Sequence, residues 1–191
     1  MYLRLLNRHS EADVRLCAEV MVRAPQYMLD TFGRRPTEAD GAHLLNHRPH
    51  GARREDILVF AAIEYETTIG LLQVHLGFVH AHRANIGLLL VCPEHRRQGR
   101  GTAMLRQLSG LSANWPAIQN FSASVLEGNH PALAFWQQAG FQVVGTGYTQ
   151  PGYPHRMTVF EREVRPLLDA PMLDRPLQES AGAYSRSLYP H

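Results

Sequence analysis

Three stretches of β-forming residues follow one another between residues 57 and 91, and the third runs into a glycine–arginine bend that opens a helix. The stretches are Ile57–Glu64, Thr67–Val79 and Asn85–Val91. Only Tyr65-Glu66 and the polar turn His80–Arg83 with Ala84 separate them. Links that short cannot carry a crossover helix, so the three strands pair as antiparallel neighbours. A chain that lays down three such strands before its first strand-to-helix bend is not built of repeating β–α units. The expected class is α+β with one sheet.

The flanking segments fit that class. Tyr2–Leu6 reads as a first strand. Ser10-Glu11-Ala12-Asp13 reads as a capped helix start, and Val14, Cys17, Ala18 and Met21 then share one helical face. That helix ends before Pro25, and two short helices are expected within Gln26–Pro49. After the bend, Met104, Leu105, Leu108 and Leu111 mark a helix, and Phe121–Leu126 a strand. Pro131–Ala139 is a helix with proline at its start and Gly140 past its end. Gln142–Val144 and Met157–Val164 are the last strands. One domain is expected over residues 1–165. Residues 166–191, with four prolines, form a tail that docks on the domain or on a second subunit, so a homodimer is an open option.

Composition narrows the function classes. The 191 residues suit one domain. The longest apolar runs, Ile57–Ile63 and Gly87–Cys92, are far shorter than the roughly 18 residues of a membrane span. The net charge of +2 is too small to imply a nucleic-acid partner. Two cysteines, Cys17 and Cys92, have no metal-ligand spacing and suit a reducing compartment. A cytoplasmic protein with no membrane or nucleic-acid partner is expected. His43 and His47 sit at i, i+4, but without a third ligand no metal is expected. Arg34-Arg35 and Arg53-Arg54 read as a wet surface.

The bend carries the chemistry: Cys92-Pro93-Glu94-His95-Arg96-Arg97-Gln98-Gly99-Arg100-Gly101-Thr102. Glycines let backbone N–H groups approach an anion, and the new helix adds unpaired donors and the positive end of its dipole. Arg96, Arg97 and Arg100 add charge-assisted donors suited to phosphate. Neither a P-loop nor a dinucleotide fingerprint fits. Thr102-Ala103 follow Gly101 where Lys-Ser or Lys-Thr is needed, and Met104 stands where a third glycine would. A diphosphate site of another kind is expected.

A second segment is Asn129-His130-Pro131-Ala132-Leu133-Ala134-Phe135-Trp136-Gln137-Gln138-Ala139-Gly140-Phe141. Val91-x-Pro93 followed by Arg96-x-x-Gly99-x-Gly101 resembles the CoA diphosphate loop of the GNAT superfamily of N-acetyltransferases. Asn129-x-x-Ala132, Phe135-Trp136 and Gly140-Phe141 are similar to that family's second motif. The resemblance implies a mixed, mostly antiparallel sheet flanked by helices on both faces. It implies acetyl-CoA as cosubstrate and a primary amine of a small molecule or peptide as acceptor. The strand at Asn85–Val91 would splay from Phe121–Leu126, and the backbone of Leu89, Leu90 and Val91 would pair with the pantetheine. Arg96, Arg97, Gln98, Gly99, Arg100, Gly101 and Thr102 would hold the diphosphate. Asn129 would bond the pantetheine arm, and Trp136 would pack beside the sulfur.

The chain departs from the family in its proton chemistry. Where many relatives carry a tyrosine acid, Trp136 offers only an N–H. Releasing a thiolate unaided at pH 7 costs about 2 kcal/mol. Where relatives place a base, this chain has Asn85 or Gly87. An alkylamine needs about 4–5 kcal/mol to lose its proton at pH 7, an α-amine about 1. Base candidates are Glu64, His75, His80 and His82, with Glu64 preferred because strand ends face the acceptor. Tyr148 and Tyr153, read as lying in the loop between the last strands, are candidate acids or acceptor contacts. Direct attack in a ternary complex is expected, since Cys92 has no assured histidine partner. The alternative is a CoA-binding regulatory or structural module with little or no turnover.

Overall fold

A computed structural model describes residues 1–49, 51–150 and 153–164 with the side chains of 150, 153 and 154 excepted. The tail expected over 166–191 lies outside the described residues. Seven strands form one sheet in the order β1-β2-β3-β4-β5-β7-β6. The strands are β1 (Tyr2–Leu5), β2 (Ile57–Glu64), β3 (Thr67–Leu76), β4 (Arg83–Val91), β5 (Asn120–Leu126), β6 (Gln142–Gln150) and β7 (Tyr153–Glu163). The helices are α1 (Glu11–Arg23), α2 (Gln26–Phe32), α3 (Glu38–Asn46), α4 (Arg100–Leu111) and α5 (His130–Gln138). All neighbours run antiparallel except β4 and β5, which are parallel.

Alternation along the strands builds two cores. On one face Leu58 and Phe60 of β2, Leu72 and Val74 of β3 and Phe121 of β5 pack against Met104, Leu105 and Leu108 of α4 and Trp136 of α5. On the other, Val59, Ala61, Leu71, Leu88 and Leu90 pack against Cys17, Val20 and Met21 of α1 and Leu44 of α3. β4 serves both faces through a bulge. Gln73 pairs with Leu88 but Val74 with Ile86, so Gly87 is the extra residue. Before it Ala84 and Ile86 face the α4 core; after it Leu88 and Leu90 face the α1 core. The aspartates at the helix starts act as clamps. Asp13 accepts from Arg4 and from the Asn7 N–H, both at 2.8 Å. Asp40 accepts from Arg34 and from the Thr37 N–H at 2.7 Å, and the guanidinium holds its carboxyl well below the usual range.

Two sequence expectations change. β3 ends at Leu76, short of Val79, whose backbone is left-handed. β6 reaches Gln150, so Tyr148 lies within a strand and not in a loop, as does Tyr153 at the start of β7. Pairing with β7, as in Tyr148 with Met157, carries β6 through Gly145 and Gly147.

Candidate active site

β4 and β5 pair only from Arg83–Asn120 to Ile86–Ala123. Beyond that point Gly87–Val91 and Ser124–Leu126 part, and the bulge at Gly87 sits at the apex of the fork. The ladder shows which backbone groups face it. The Cys92 N–H donates to Ile69 on β3 at 2.8 Å. By antiparallel alternation Leu90 also turns its N–H and C=O to β3, whereas Leu89 and Val91 turn theirs to the fork. The Val91 C=O is taken by Arg96 Nε at 2.8 Å. The open strand edge is therefore Leu89 and the Val91 N–H. Leu90, expected to share in that edge, is bonded away from it and buried toward α1.

The bend follows at the mouth of the fork. Pro93–His95 form a 3-10 turn, Arg97 has φ 59, and Gly99 has φ 75 as the cap of α4. A left-handed cap is where glycine is least strained. The first helical bond runs from the Ala103 N–H to the Gly99 C=O at 2.9 Å, so the N–H groups of Gly99–Thr102 lie outside the helix ladder. Gln98 braces the turn by donating to the Glu94 C=O at 2.9 Å. A Cβ on Gly101 would lie 3.0 Å from the Phe135 ring and 3.6 Å from Leu89. Phe135, half-buried, thus closes the fork against the bend. Trp136 lies behind it as a core residue, 6% exposed, edge-on to Phe135 and Phe141. Asn129 caps α5, its Oδ1 accepting from the Ala132 N–H at 3.1 Å. Its carboxamide donors have no partner among the described residues.

The sequence candidates for proton transfer are scattered. Glu64 lies on the α4 face of the sheet and pairs with Arg100 at 2.9 Å. Tyr148, 54% exposed, stays on β6, which β5 and β7 separate from β4. Its ring folds over Gly145. His80 and His82 lie in the turn before β4, at the end of that strand away from the bend. His75 alone reaches the apex. A Cβ on Gly87 would lie 3.2 Å from its ring, neither ring nitrogen has a partner, and burial pushes its pKa down to about 4. Beside it Asn85 Oδ1 accepts from the Ser122 hydroxyl at 3.2 Å. Cys92 is fully buried, and burial pushes its thiol up. His43 and His47 stack at 4.6 Å, and no group of three metal-ligating side chains occurs among the described residues.

Sequence reasoning missed the role of Phe135, whose neighbour Trp136 occupies the motif position. It also missed the ion pair of Arg23, at the end of α1, with Glu94 in the bend. No local signal marks that pair.

The parted strands, the bulge at the apex and the glycine cap together form one open fork beside an anion-seeking bend. The family model for the acetyltransferase (GNAT) family matches residues 24–141. The chain belongs to the GNAT acetyltransferase family. Its fold is shared with an acetyltransferase from Thermus thermophilus, at 24% identity, TM-score 0.66, over 85% of this chain and 97% of that one. It is similar to the aminoglycoside acetyltransferase AAC(6')-Ib in complex with coenzyme A, at 23% identity, TM-score 0.66, over 85% and 94%. It is also similar to a spermidine N-acetyltransferase chimera of Vibrio cholerae SpeG and hSSAT, at 16% identity, TM-score 0.62, over 86% and 96%. No curated protein sequence matches the chain. This GNAT chain is thus an acyltransferase, and no helix among its described residues is long and apolar enough to cross a membrane.

Proposed function

We propose that the protein moves the acetyl group of acetyl-CoA to a primary amine of a small molecule or peptide. The parting of β4 from β5 beyond Ile86 and Ala123 carries this reading. Bound there, acetyl-CoA supplies the activated acyl group as a thioester. The Leu89 N–H and C=O and the Val91 N–H pair with the pantetheine amides as an added strand. Of these groups the Val91 N–H and the Leu89 C=O are the ones that hold the pantetheine amides once the thioester is seated, and the Leu89 N–H then turns to the thioester oxygen as negative charge develops on it. The N–H groups of Gly99–Thr102 and the side chains of Arg96, Arg97 and Gln98 surround the diphosphate, and Asn129 donates to the pantetheine arm. Trp136 acts through Phe135, which it holds against the fork.

The acceptor enters on the α1–α3 face, over Asn85, Gly87 and Ser122. The similar structures include an aminoglycoside acetyltransferase and a spermidine N-acetyltransferase, which supports a broad amine class. Neither Asn85 nor Gly87 takes a proton, so the amine sheds its proton to water or arrives neutral, which favours amines of low pKa. The buried, raised thiol of Cys92 supports direct attack without a covalent enzyme intermediate. Titration calorimetry with CoA, and thiol release with a panel of α-amines and alkylamines, test the reading. Micromolar CoA binding with amine-dependent thiol release is expected. Binding with no turnover on any amine would instead establish the CoA-binding module, and no binding at millimolar CoA would remove both.

A further inference from the structure

Glu64 closes β2 on the face that Phe60 and Ala62 of the same strand turn toward α4. Its carboxylate pairs with Arg100, the first residue of α4, at 2.9 Å, with side chains 15% and 32% exposed. Arginine is out of place at a helix start, where the dipole is already positive. Here it also stands among the free N–H groups of the glycine cap, and its Nε is buried without a partner among the described residues. The carboxylate offsets both. On the opposite side Arg23 pairs with Glu94 of the bend and donates to the Thr68 C=O at 3.0 Å. Glu64 and Thr68 flank the Tyr65-Glu66 turn, so both ion pairs tie the bend to the tip of the β2–β3 hairpin. Arg97, by contrast, has no hydrogen bond or ion pair among the described residues.

The geometry points to a division of labour in the bend: Glu64 is a positioning residue that holds Arg100 and the first turn of α4, leaving Arg97 to meet the anion. This rests on the CoA reading above and replaces the sequence expectation of Glu64 as general base. A carboxylate committed to a guanidinium on the α4 face does not reach an amine on the α1–α3 face.

The test compares wild type, Glu64→Gln, Glu64→Asp, Arg100→Gln, Glu64→Gln/Arg100→Gln and Arg97→Ala in calorimetry with CoA. Circular dichroism confirms that each is folded. Loss of one charged hydrogen bond predicts CoA binding weakened about 10-fold in Glu64→Gln and partly restored in Glu64→Asp. The double variant should bind no worse than the weaker single variant, because the pair acts as a unit. Arg97→Ala should bind more weakly and lose part of the salt dependence, whereas Glu64→Gln keeps it. With the best amine of the panel, Glu64→Gln should raise the KM for acetyl-CoA and leave kcat and its pH profile unchanged. Wild-type CoA affinity in Glu64→Gln, additive losses in the double variant, or a kcat loss with a changed pH limb would each overturn the assignment. Absence of CoA binding in the wild type would instead overturn the reading it rests on.

Discussion

At Gly101 a missing side chain decides how closely Phe135 approaches the first turn of α4. The sequence already calls for glycine there, so that backbone can approach an anion. The structure adds a reason from the protein's own packing, since a Cβ would lie 3.0 Å from the ring. Gly101→Val should displace Phe135 or the helix start and weaken CoA binding on the order of 10-fold, with calorimetry as the measurement. The residue types of the bend were legible because their chemistry is local. Their division was not. Nothing in the order Arg96-Arg97-Gln98-Gly99-Arg100 tells which guanidinium is already held by a distant carboxylate. The same holds for Trp136 and Phe135, where adjacent rings trade roles according to how α5 is rolled on the sheet.

Among the elements, the crossing of α1 and α3 depends on Gly41. A glycine inside a helix reads as a weak point in a sequence, costing about 1 kcal/mol relative to alanine. Here α1 runs so close that a Cβ would meet the Val14 C=O and lie 2.7 Å from the Ala18 nitrogen. Gly41→Ala should therefore destabilise the protein by about 1–3 kcal/mol despite its better helix propensity, read as a lower midpoint in denaturant unfolding. The β2–β3–β4 meander was legible because two short links leave one way to pair. The bulge at Gly87 was not, since it is a mismatch between strands. The structure extends the last hairpin beyond Gln142–Val144, because cross-strand pairing with β7 holds residues 145–150 in β6 where their own sequence gives little β signal.

Across the whole molecule, acid should loosen the fold through His75. It is 7% exposed, with Gln73 on its own strand, Gly87 and Asn85 on β4, Phe78 edge-on at 5.9 Å, and His47, the residue capping the end of α3, adding a like-charge effect to burial. Its folded pKa of about 4 lies below the ordinary 6.5. Between these values the unfolded chain takes a proton that the folded chain refuses. Stability from this group is full above pH 6.5 and falls by about 3 kcal/mol as the pH drops to about 4. Asp40, held low by Arg34, adds a loss at still lower pH. Denaturant midpoints between about pH 7 and 4 would show the His75 limb, and His75→Leu should flatten it. The sequence by itself determined the order of elements, the antiparallel meander and an anion-seeking bend, because each follows from residues within a turn of one another. Only the tertiary structure decided where β4 leaves β5, which backbone groups face that gap, and that Glu64 is spent on Arg100, because those facts arise between segments whose distance along the chain carries no signal of their meeting.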